Sequence, residues 1–305
     1  MSLHYYANKF KFCKINAEIP NWFGIKTKAD LLFEPIDCDE LRLFLKTFPH
    51  NSKITVIGCA SNLLISNNGI GGVTLKLNSN YFSKITIHEN CIKVGAGCLD
   101  LVLSNFAANA SLSGLEFLCT IPGSVGGAIK MNAGSFFQET FDSIVRVKVM
   151  DFSGNIFYLY KDDIKYSYRE SNIPDEYIII EGVFRLKYSK FDKIRDHMSL
   201  IMKKKSDTQP LNAKTGGSTF CNVRDYNRTG LICSAWKLID AVGVKNVGEA
   251  YISPKHANFI INKGNLASDI SILIQNIQQK VYSKFNVNLK LEIKKIGKWN
   301  QYEDY

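Results

Sequence analysis

The sequence predicts an α+β fold with a mixed sheet. Short runs of alternating or continuous apolar residues fill positions 73–188, which is typical of a sheet-rich region. A strand–helix–strand pattern precedes this region, and helical periodicity follows it from about residue 191. The 305 residues are 46% hydrophobic and 22% charged, so the composition is that of a folded globular chain. The length favours two or three domains.

The first region contains the predicted strand–helix–strand unit. LLFEP at 31–35 predicts a strand, Asp37 and Glu40 are typical of a helix start, and KITVIG at 53–58 predicts a second buried strand. The expected buried face of the helix carries Leu41, Phe44, Leu45 and Phe48. No GxGxxG motif follows either strand, which excludes a Rossmann unit. The second strand leads instead into GCASNLL at 58–64.

Five strand-like runs and one helix make up the middle region. The helix is predicted near 101–108, and the runs are VTLKL, KITIHENCIKV, IVRVKVMDF, NIFYLY and YIIIEGVFRLKY. A glycine-rich segment, TIPGSVGGAIKMNAGSF at 120–136, interrupts them. Glycine in such numbers usually means that the backbone lies close to something else.

Three helices and a closing strand are predicted after residue 191. The first helix is marked by Ile194, Met198, Ile201 and Met202 and ends at Lys203, Lys204 and Lys205, before the loop SDTQPLNAKTGG. The second carries Ile232, Ala235, Trp236 and Ile239. The third follows Ser268 and Asp269 as caps and carries Ile270, Leu273, Ile274, Ile277, Val281 and Phe285. NLKLEIKKIG at 288–297 predicts the closing strand.

Charge and cysteine content limit the classes of function. The net charge of +10 is compatible with nucleic acid, a membrane surface or anionic small molecules as partners. The eight cysteines are scattered without a CxxC pair, which predicts reduced thiols and no metal site in a cytoplasmic protein. No apolar run is long enough to span a bilayer, and the N-terminal sequence lacks a signal-peptide pattern.

Two glycine-bearing segments are candidate phosphate sites. Successive backbone N–H groups in GCASNLL and in IPGSVGGA could bind the pyrophosphate of a dinucleotide cofactor. The alternative for each segment is a tight turn in a sheet protein, and spacing alone does not distinguish the two or name the cofactor.

Seven motifs, in this order along the chain, resemble those of the UDP-N-acetylenolpyruvoylglucosamine reductase family, which are flavoenzymes of peptidoglycan precursor synthesis. They are GCASNLL, IPGSVGGAIKMNAGSF, YSYRES, TGGSTFCN, AWKLID, SPKHANFIIN and LEIKKIG. The resemblance extends from Asn21 to Gly297. It implies an FAD-binding fold of the vanillyl-alcohol-oxidase type with a third, substrate-binding α+β domain. The expected domains are 1–72 with the strand 288–300, 73–190, and 191–287.

The resemblance also implies the positions that bind the cofactor and the substrate. FAD is expected to contact Gly58, Cys59, Ala60, Ser61, Asn62, Leu63, Ile121, Pro122, Gly123, Ser124, Gly126, Gly127, Ala128, Asn132, Ala133 and Gly134. Tyr168 and Asn222 are expected to contact a UDP-sugar, and NADPH is the expected reductant. We expect a monomer with no nucleic-acid or membrane partner.

The family reduces an enol ether double bond that is conjugated to a carboxylate, and three residues match its catalytic positions. Arg169 would stabilise the developing negative charge, because a guanidinium offers a planar fork of donors. Ser218 would donate the proton, and Glu292 would polarise the substrate or share a proton. Without the motifs, the three would be interpreted as a surface sheet residue, a turn hydroxyl and a solvated strand residue. His256 is interpreted as a hydrogen-bonded structural histidine.

The chain departs from the family pattern at three places. FGIKTKAD at 23–30 replaces a loop that usually carries two glycines, and Cys221 and Val223 replace the usual lysine and proline around Asn222. Lys205 could substitute for a basic residue that usually precedes the serine. The short third region favours the subtype that lacks a tyrosine-bearing loop.

Two other classes of function remain open from the sequence. An FAD-linked oxidase would require a histidine or cysteine for covalent flavin attachment, and Cys59 lies beside one glycine segment. A non-catalytic nucleotide- or nucleic-acid-binding protein would use the basic surface instead.

Overall fold

The computed structural model describes residues 3–49, 52–224 and 232–300. The helices within these ranges are α1 Leu3–Lys9, α2 Cys38–Thr47, α3 Asp100–Asn109, α4 Val125–Met131, α5 Thr140–Ser143, α6 Phe191–Thr208, α7 Ala235–Val242 and α8 Ala267–Phe285. Two short 3₁₀ helices occupy Glu116–Thr120 and Lys161–Asp163.

Most of the strands are short. They are β1 Cys13–Glu18, β2 Lys28–Phe33, β3 Ile54–Ile57, β4 Leu63–Ile65, β5 Ile70–Lys76, β6 Ile85–His88, β7 Cys91–Gly95, β8 Leu112–Ser113, β9 Gly134–Ser135, β10 Gln138–Glu139, β11 Ile144–Asp151, β12 Ile156–Tyr160, β13 Tyr166–Ser167, β14 Glu170–Ser171, β15 Tyr177–Arg185, β16 Lys187–Tyr188, β17 Val223–Arg224, β18 Ile232–Cys233, β19 Ala250–Ile252, β20 Ile260–Asn262 and β21 Lys294–Ile296.

The chain forms two compact units. The first unit is drawn from residues 3–16, 30–59 and 72–205, and the second from 17–29, 60–71 and 206–300. The three-domain division stays a prediction.

The first unit contains a four-stranded sheet in the order β1-β2-β5-β3 and a five-stranded sheet in the order β12-β11-β15-β7-β6. β3 and β5 are parallel, whereas the five-stranded sheet is antiparallel throughout. The strands predicted for the middle region are therefore present, and the α+β class with a mixed sheet is confirmed. β5 separates β2 from β3, so the predicted strand–helix–strand unit crosses over one strand.

Helix α2 is stabilised by a cap at its N-terminus and by a buried apolar face. The Asp37 side chain accepts hydrogen bonds from the backbone N–H groups of Asp39 at 3.0 Å and Glu40 at 2.8 Å, which satisfies two donors at the helix start. Glu40 accepts from the N–H of Ile36 at 2.7 Å, one residue before the position expected in a capping box. The apolar face, with Phe44 at its centre, is buried in the core of the first unit.

The second unit has its own apolar core. Helices α7 and α8 pack together around residues such as Leu238, Ile270 and Ile277. β4 and β21 form a parallel pair, and β19 pairs with β20 in an antiparallel hairpin. No helix in the described ranges is long and apolar enough to cross a membrane.

Several predicted boundaries after residue 191 were wrong. Helix α6 continues past the lysine cluster to Thr208, because nothing in KSDT stops a helix before the proline that follows. Ile232 lies in β18 and not in the helix that begins at Ala235. Ser268 and Asp269 lie inside α8. The first N–H of this helix, on Ala267, instead donates to the Asn67 side chain at 2.7 Å.

The closing strand is also shorter than predicted. Of residues 288–297, only Lys294–Ile296 form a strand, because β4 offers a partner edge to these three residues alone. Glu292 therefore precedes the strand, and the alternation argument for a solvated sheet face does not apply to it.

Candidate active site

The two glycine segments meet in the first unit. A Cβ added to Gly58 would lie 2.5 Å from Oγ of Ser124, so only glycine permits this approach of the two turns. The Ser124 side chain also hydrogen-bonds to the neighbouring Cys59 thiol. Neither segment is therefore an independent turn, and the structure joins them into one surface of small residues.

The second glycine segment forms the start of a helix. Ser124 is the N-cap of α4, and the helix then includes Gly126, Gly127 and Ala128. The N–H of Val125 donates to the Cys98 carbonyl at 2.9 Å, and the N–H of Gly126 donates to the Ala96 carbonyl at 2.8 Å. These two hydrogen bonds hold the turn against the segment that contains Ala96 and Cys98. A phosphate at this turn would therefore bind to other N–H groups.

Gly127 leaves open space at the same turn. A Cβ added there would meet only Oγ of Ser124, at 3.9 Å. By contrast, a Cβ on Gly126 would lie 3.0 Å from the Cβ of Ala96. Gly126 thus serves the packing of helix against strand, while Gly127 leaves room beside the backbone. This division of roles fits a flat cofactor that approaches the turn closely.

Asn132 ends helix α4 and joins it to the next segment. It adopts the left-handed conformation with φ of 43° and is fully buried. Its amide Nδ2 donates to the Ser167 carbonyl at 2.9 Å, and its Oδ1 accepts from the N–H of Phe141 at 3.1 Å. Asn132 thus positions the hairpin β13–β14, which carries Arg169.

Arg169 lies at the tip of that hairpin in the first unit. Its φ of 61° places it in the left-handed region, which is uncommon for a residue with a long side chain. The guanidinium donates to the Gly134 carbonyl at 2.6 Å and lies over the Tyr168 ring, 4.5 Å from its centre. The guanidinium is therefore held by two neighbours, and it is half-buried.

Ser218 and Glu292 are brought together in the second unit. The N–H of Glu292 donates to the carbonyl of Thr219, the residue after Ser218, at 2.9 Å. Phe220 and Leu291 form a β-bridge beside this bond, and both Ser218 and Glu292 are half-buried. Two of the three predicted catalytic residues are therefore neighbours, although many residues separate them along the chain.

Asn258 positions this pair, although no motif in the sequence predicts a role for it. Its side chain accepts from the N–H of Phe220 at 3.0 Å and donates to the carbonyl of Phe220 at 2.8 Å. Its own carbonyl accepts from the N–H of Thr219 at 2.8 Å. A buried asparagine within the apolar run ANFII was the signal available, because a buried amide needs bonded partners.

Asn62 fixes the other side of the pair. Its Nδ2 donates to the Glu292 carbonyl at 3.0 Å, and its own carbonyl accepts from the N–H of Lys294 at 2.9 Å. Asn222 accepts from the N–H of Ala235 at 3.1 Å and so helps to satisfy the start of α7. Both predicted binding residues thus also make structural hydrogen bonds.

His256 and Lys205 each hydrogen-bond to the backbone near a predicted site segment, and burial lowers the pKa of both. Nδ1 of His256 accepts from the N–H of Asn258 at 3.3 Å, its ring packs on Phe259, and burial lowers its pKa. This agrees with the interpretation of His256 as a structural histidine. Lys205 donates to the Thr120 carbonyl, next to the second glycine segment, and burial lowers its pKa.

Metal and thiol chemistry have no support in the described ranges. These ranges contain no group of three or more histidine, cysteine or acidic side chains that could hold a metal ion. All eight cysteines are free thiols. Burial raises the pKa of Cys59, which keeps this thiol protonated and a poor nucleophile.

Comparisons with known proteins agree with this architecture. Residues 29–159 match the FAD binding domain family, and residues 209–296 match the C-terminal domain of UDP-N-acetylenolpyruvoylglucosamine reductase.

The reductase of Rickettsia bellii (strain RML369-C) is 37% identical over 280 residues, which cover 91% of this chain and 90% of that protein. The reductase of Rickettsia prowazekii (strain Madrid E) is 38% identical over 281 residues, covering 91% and 92%. The crystal structure of the UDP-N-acetylenolpyruvylglucosamine reductase from Thermus caldophilus superposes with a TM-score of 0.75 at 30% identity, covering 90% of this chain and 95% of that one. The chain therefore belongs to the UDP-N-acetylenolpyruvoylglucosamine reductase family.

Proposed function

We propose that this protein reduces the enolpyruvyl double bond of UDP-N-acetylenolpyruvoylglucosamine to give UDP-N-acetylmuramate, with Arg169, Ser218 and Glu292 as its catalytic residues. FAD is the cofactor and NADPH the reductant. The observation that supports the assignment of Ser218 and Glu292 is the 2.9 Å backbone bond from the Glu292 N–H to the carbonyl of Thr219, the residue after Ser218. Protonation of a substrate carbon requires a positioned proton donor, and Ser218 is the proposed one.

The joined glycine segments would hold FAD. Gly58, Ser124 and Gly127 form a surface with little side-chain volume, and Gly127 leaves open space beside its backbone. When bound there, FAD supplies the two-electron chemistry that links NADPH to the enolpyruvyl double bond. Glycine is needed at position 58 of this surface, because any larger side chain there would collide with Ser124.

Each catalytic residue has a separate task. The Arg169 guanidinium would bind the substrate carboxylate and the negative charge that develops beside it. Oγ of Ser218 would give its proton to the carbon that bears the carboxylate. Glu292 would polarise the substrate or return a proton to Ser218. Tyr168 and Asn222 would contact the UDP-sugar.

We also propose the finer features that follow from family membership. The protein would belong to the subtype without the tyrosine-bearing loop, act in the cytoplasm and function as a monomer. The short region between α7 and α8 supports the subtype, because only the hairpin β19–β20 and its connections lie there.

Anaerobic stopped-flow absorbance on Ser218→Ala tests the proposal. Reduction of the flavin by NADPH should proceed at the wild-type rate, since Ser218 has no task in that half-reaction. Reoxidation by UDP-N-acetylenolpyruvoylglucosamine should slow by about 10²- to 10⁴-fold, the usual contribution of a general acid. Ser234→Ala is the matched control, because Ser234 is the N-cap of α7 but its side chain makes no capping bond.

Two results would contradict the proposal. A purified protein that carries no flavin and takes up no added FAD would remove the cofactor. Slow flavin reduction with normal reoxidation in Ser218→Ala would remove Ser218 from the protonation step and leave the family assignment intact.

A further inference from the structure

Asp100 carries a buried carboxyl group that the proposed reaction does not use. It is the first residue of α3, and only 1% of its surface is exposed. Within the described ranges neither carboxyl oxygen has a hydrogen-bond partner. Buried carboxyl groups are nearly always hydrogen-bonded, so this exception requires a physical explanation.

Asp100 lies at the seam between α3 and the glycine segment proposed for FAD. Its backbone N–H donates to the Gly123 carbonyl at 3.1 Å, and the preceding Leu99 forms a β-bridge with Ser124. Further along the same seam, the Cys98 carbonyl accepts from the N–H of Val125. The backbone of Cys98, Leu99 and Asp100 therefore supports the turn on which FAD would lie, and the buried carboxyl group is carried by this support.

Among the described residues, no ion pair involves this carboxyl group. The titratable side chains that sense its charge are the thiols of Cys59, after β3, and Cys98, before α3. The cation of this neighbourhood is Lys76, at the end of β5, which acts on Cys59. Burial, with no opposing partner, raises the pKa of Asp100 to about 8. At neutral pH the group is therefore a carboxylic acid.

We propose that Asp100 is a positioning residue for FAD, and that it must keep its proton for the cofactor to bind. This inference rests on the proposed FAD site. An ionised Asp100 would repel the diphosphate of FAD through a medium of low dielectric constant, and it would draw water into the seam that holds Ser124. A neutral carboxylic acid does neither.

The proposal predicts how FAD affinity varies with pH. If only the protonated form binds, the apparent Kd rises in inverse proportion to the protonated fraction. FAD titrations of the apoprotein, followed by flavin fluorescence, should give a constant Kd at about pH 6.5–7. At about pH 9 the Kd should be about tenfold higher, which means that FAD binds about tenfold more weakly. Asp100→Asn should bind FAD with a Kd that does not change over this range.

Glu116→Gln is the matched control. Glu116 is also a buried carboxyl group of the first unit, but it has a partner, the N–H of Gly114 at 2.8 Å. The variant should show the wild-type dependence of FAD affinity on pH. Circular dichroism of each apoprotein at the highest pH establishes that the fold is intact there. The same pH dependence in Asp100→Asn as in the wild type would overturn the proposal.

A second measurement needs no variant. Calorimetric titrations of the wild-type apoprotein with FAD, in buffers of different ionisation enthalpy, report the protons taken up on binding. At about pH 8.5 about three quarters of a proton should be taken up for each FAD, and at about pH 6.5 nearly none. Absence of uptake at the higher pH would overturn the proposal. Failure of the wild type to bind FAD at neutral pH would instead count against the proposed function.

Discussion

The guanidinium of Arg169 donates a 2.6 Å hydrogen bond to the carbonyl of Gly134. Gly134 opens the hairpin β9–β10, and a Cβ added to it would lie 3.0 Å from Nη1 of Arg169 and 2.5 Å from the Gln138 carbonyl oxygen. The end of the glycine-rich segment thus holds a proposed catalytic side chain in place. Glycine is required at 134 because the arginine and the opposite strand both lie against its α-carbon.

This contact predicts the effect of Gly134→Ala. The added methyl group must displace the Gln138 carbonyl or the guanidinium, so the apoprotein should lose about 1–3 kcal/mol of stability. Reoxidation of the flavin by substrate should slow, while its reduction by NADPH should not. Thermal unfolding and anaerobic stopped-flow absorbance measure the two effects. An alanine variant with wild-type reoxidation would show that the position of Arg169 does not matter for the reaction.

Arg169→Lys separates charge from geometry at the same site. Lysine keeps the positive charge but cannot bond Gly134 and substrate with one planar fork. We expect substrate-driven reoxidation to slow by about a hundredfold or more, the usual loss when one donor to a developing negative charge is removed. The Kd of FAD should not change. Equal rates of reoxidation in the wild type and in Arg169→Lys would mean that a positive charge at this position is sufficient without the planar fork.

Gly127→Ala tests the cofactor surface, because its effects on stability and on binding should have opposite signs. Alanine inside α4 has a higher helix propensity than glycine and meets only Ser124 Oγ, at 3.9 Å. The apoprotein should gain up to about 1 kcal/mol. The Kd of FAD, measured by flavin fluorescence, should rise because the methyl group occupies the open space beside the turn. An unchanged Kd would mean that FAD does not approach Gly127.

The buried carboxyl group of Asp100 predicts how apoprotein stability varies with pH. Its pKa in the folded protein, about 8, lies above the ordinary value of 3.8, so the unfolded chain loses the proton first as the pH rises. The contribution of Asp100 to the free energy of unfolding is fully present below about pH 4. It decreases through about pH 8, by at most about 1.4 kcal/mol per pH unit. Asp100→Asn removes this decrease.

Thermal unfolding of the apoproteins at several pH values checks whether the stability contribution of Asp100 decreases as the pH rises. The midpoint of Asp100→Asn minus that of the wild type should grow between about pH 5 and about pH 8 and then level off. Glu116→Gln, which has a bonded partner in the wild type, should not show this trend. A difference that stays constant with pH would mean that Asp100 ionises normally in the folded protein.

The cap of α2 gives a test of the fold that is independent of the site. Asp37→Ala removes the acceptor of two backbone hydrogen bonds and should cost about 1 kcal/mol. Asp39→Ala in the same turn should cost little, because its 2.9 Å ion pair with Arg42 involves a largely exposed carboxylate. Thermal unfolding compares the two variants. Equal losses would contradict the capping role of Asp37.

The local sequence determined those elements whose signals lie within a few residues of one another. The cap and apolar face of α2 are of this kind, and so is the alternation of half-buried and buried positions over residues 146–149 of β11. Such patterns are sufficient because the hydrogen bonds of a helix or a turn connect near neighbours. The motifs likewise sufficed to indicate the family and the FAD-binding domain, which the comparisons confirm.

Sequence patterns failed where a distant partner sets the outcome. The apolar alternation of 288–297 predicted a full strand, but only the three residues that meet β4 form one. The N-terminus of α8 looked capped by its own side chains, whereas Asn67 supplies the bond. Both outcomes depend on which chain segment is adjacent in space.

The sequence by itself determined the fold class, the family and the residue types at the site. Only the tertiary structure decided that the backbone of Glu292 bonds to Thr219, the residue after Ser218, and that the Asp100 carboxyl is buried without a hydrogen-bond partner. An aspartate at a helix start ordinarily faces water and interacts favourably with the helix dipole. Its ionisation changes only when packing removes the water. The free energy of a charge depends on everything that surrounds it in three dimensions, and no local pattern of residues contains that information.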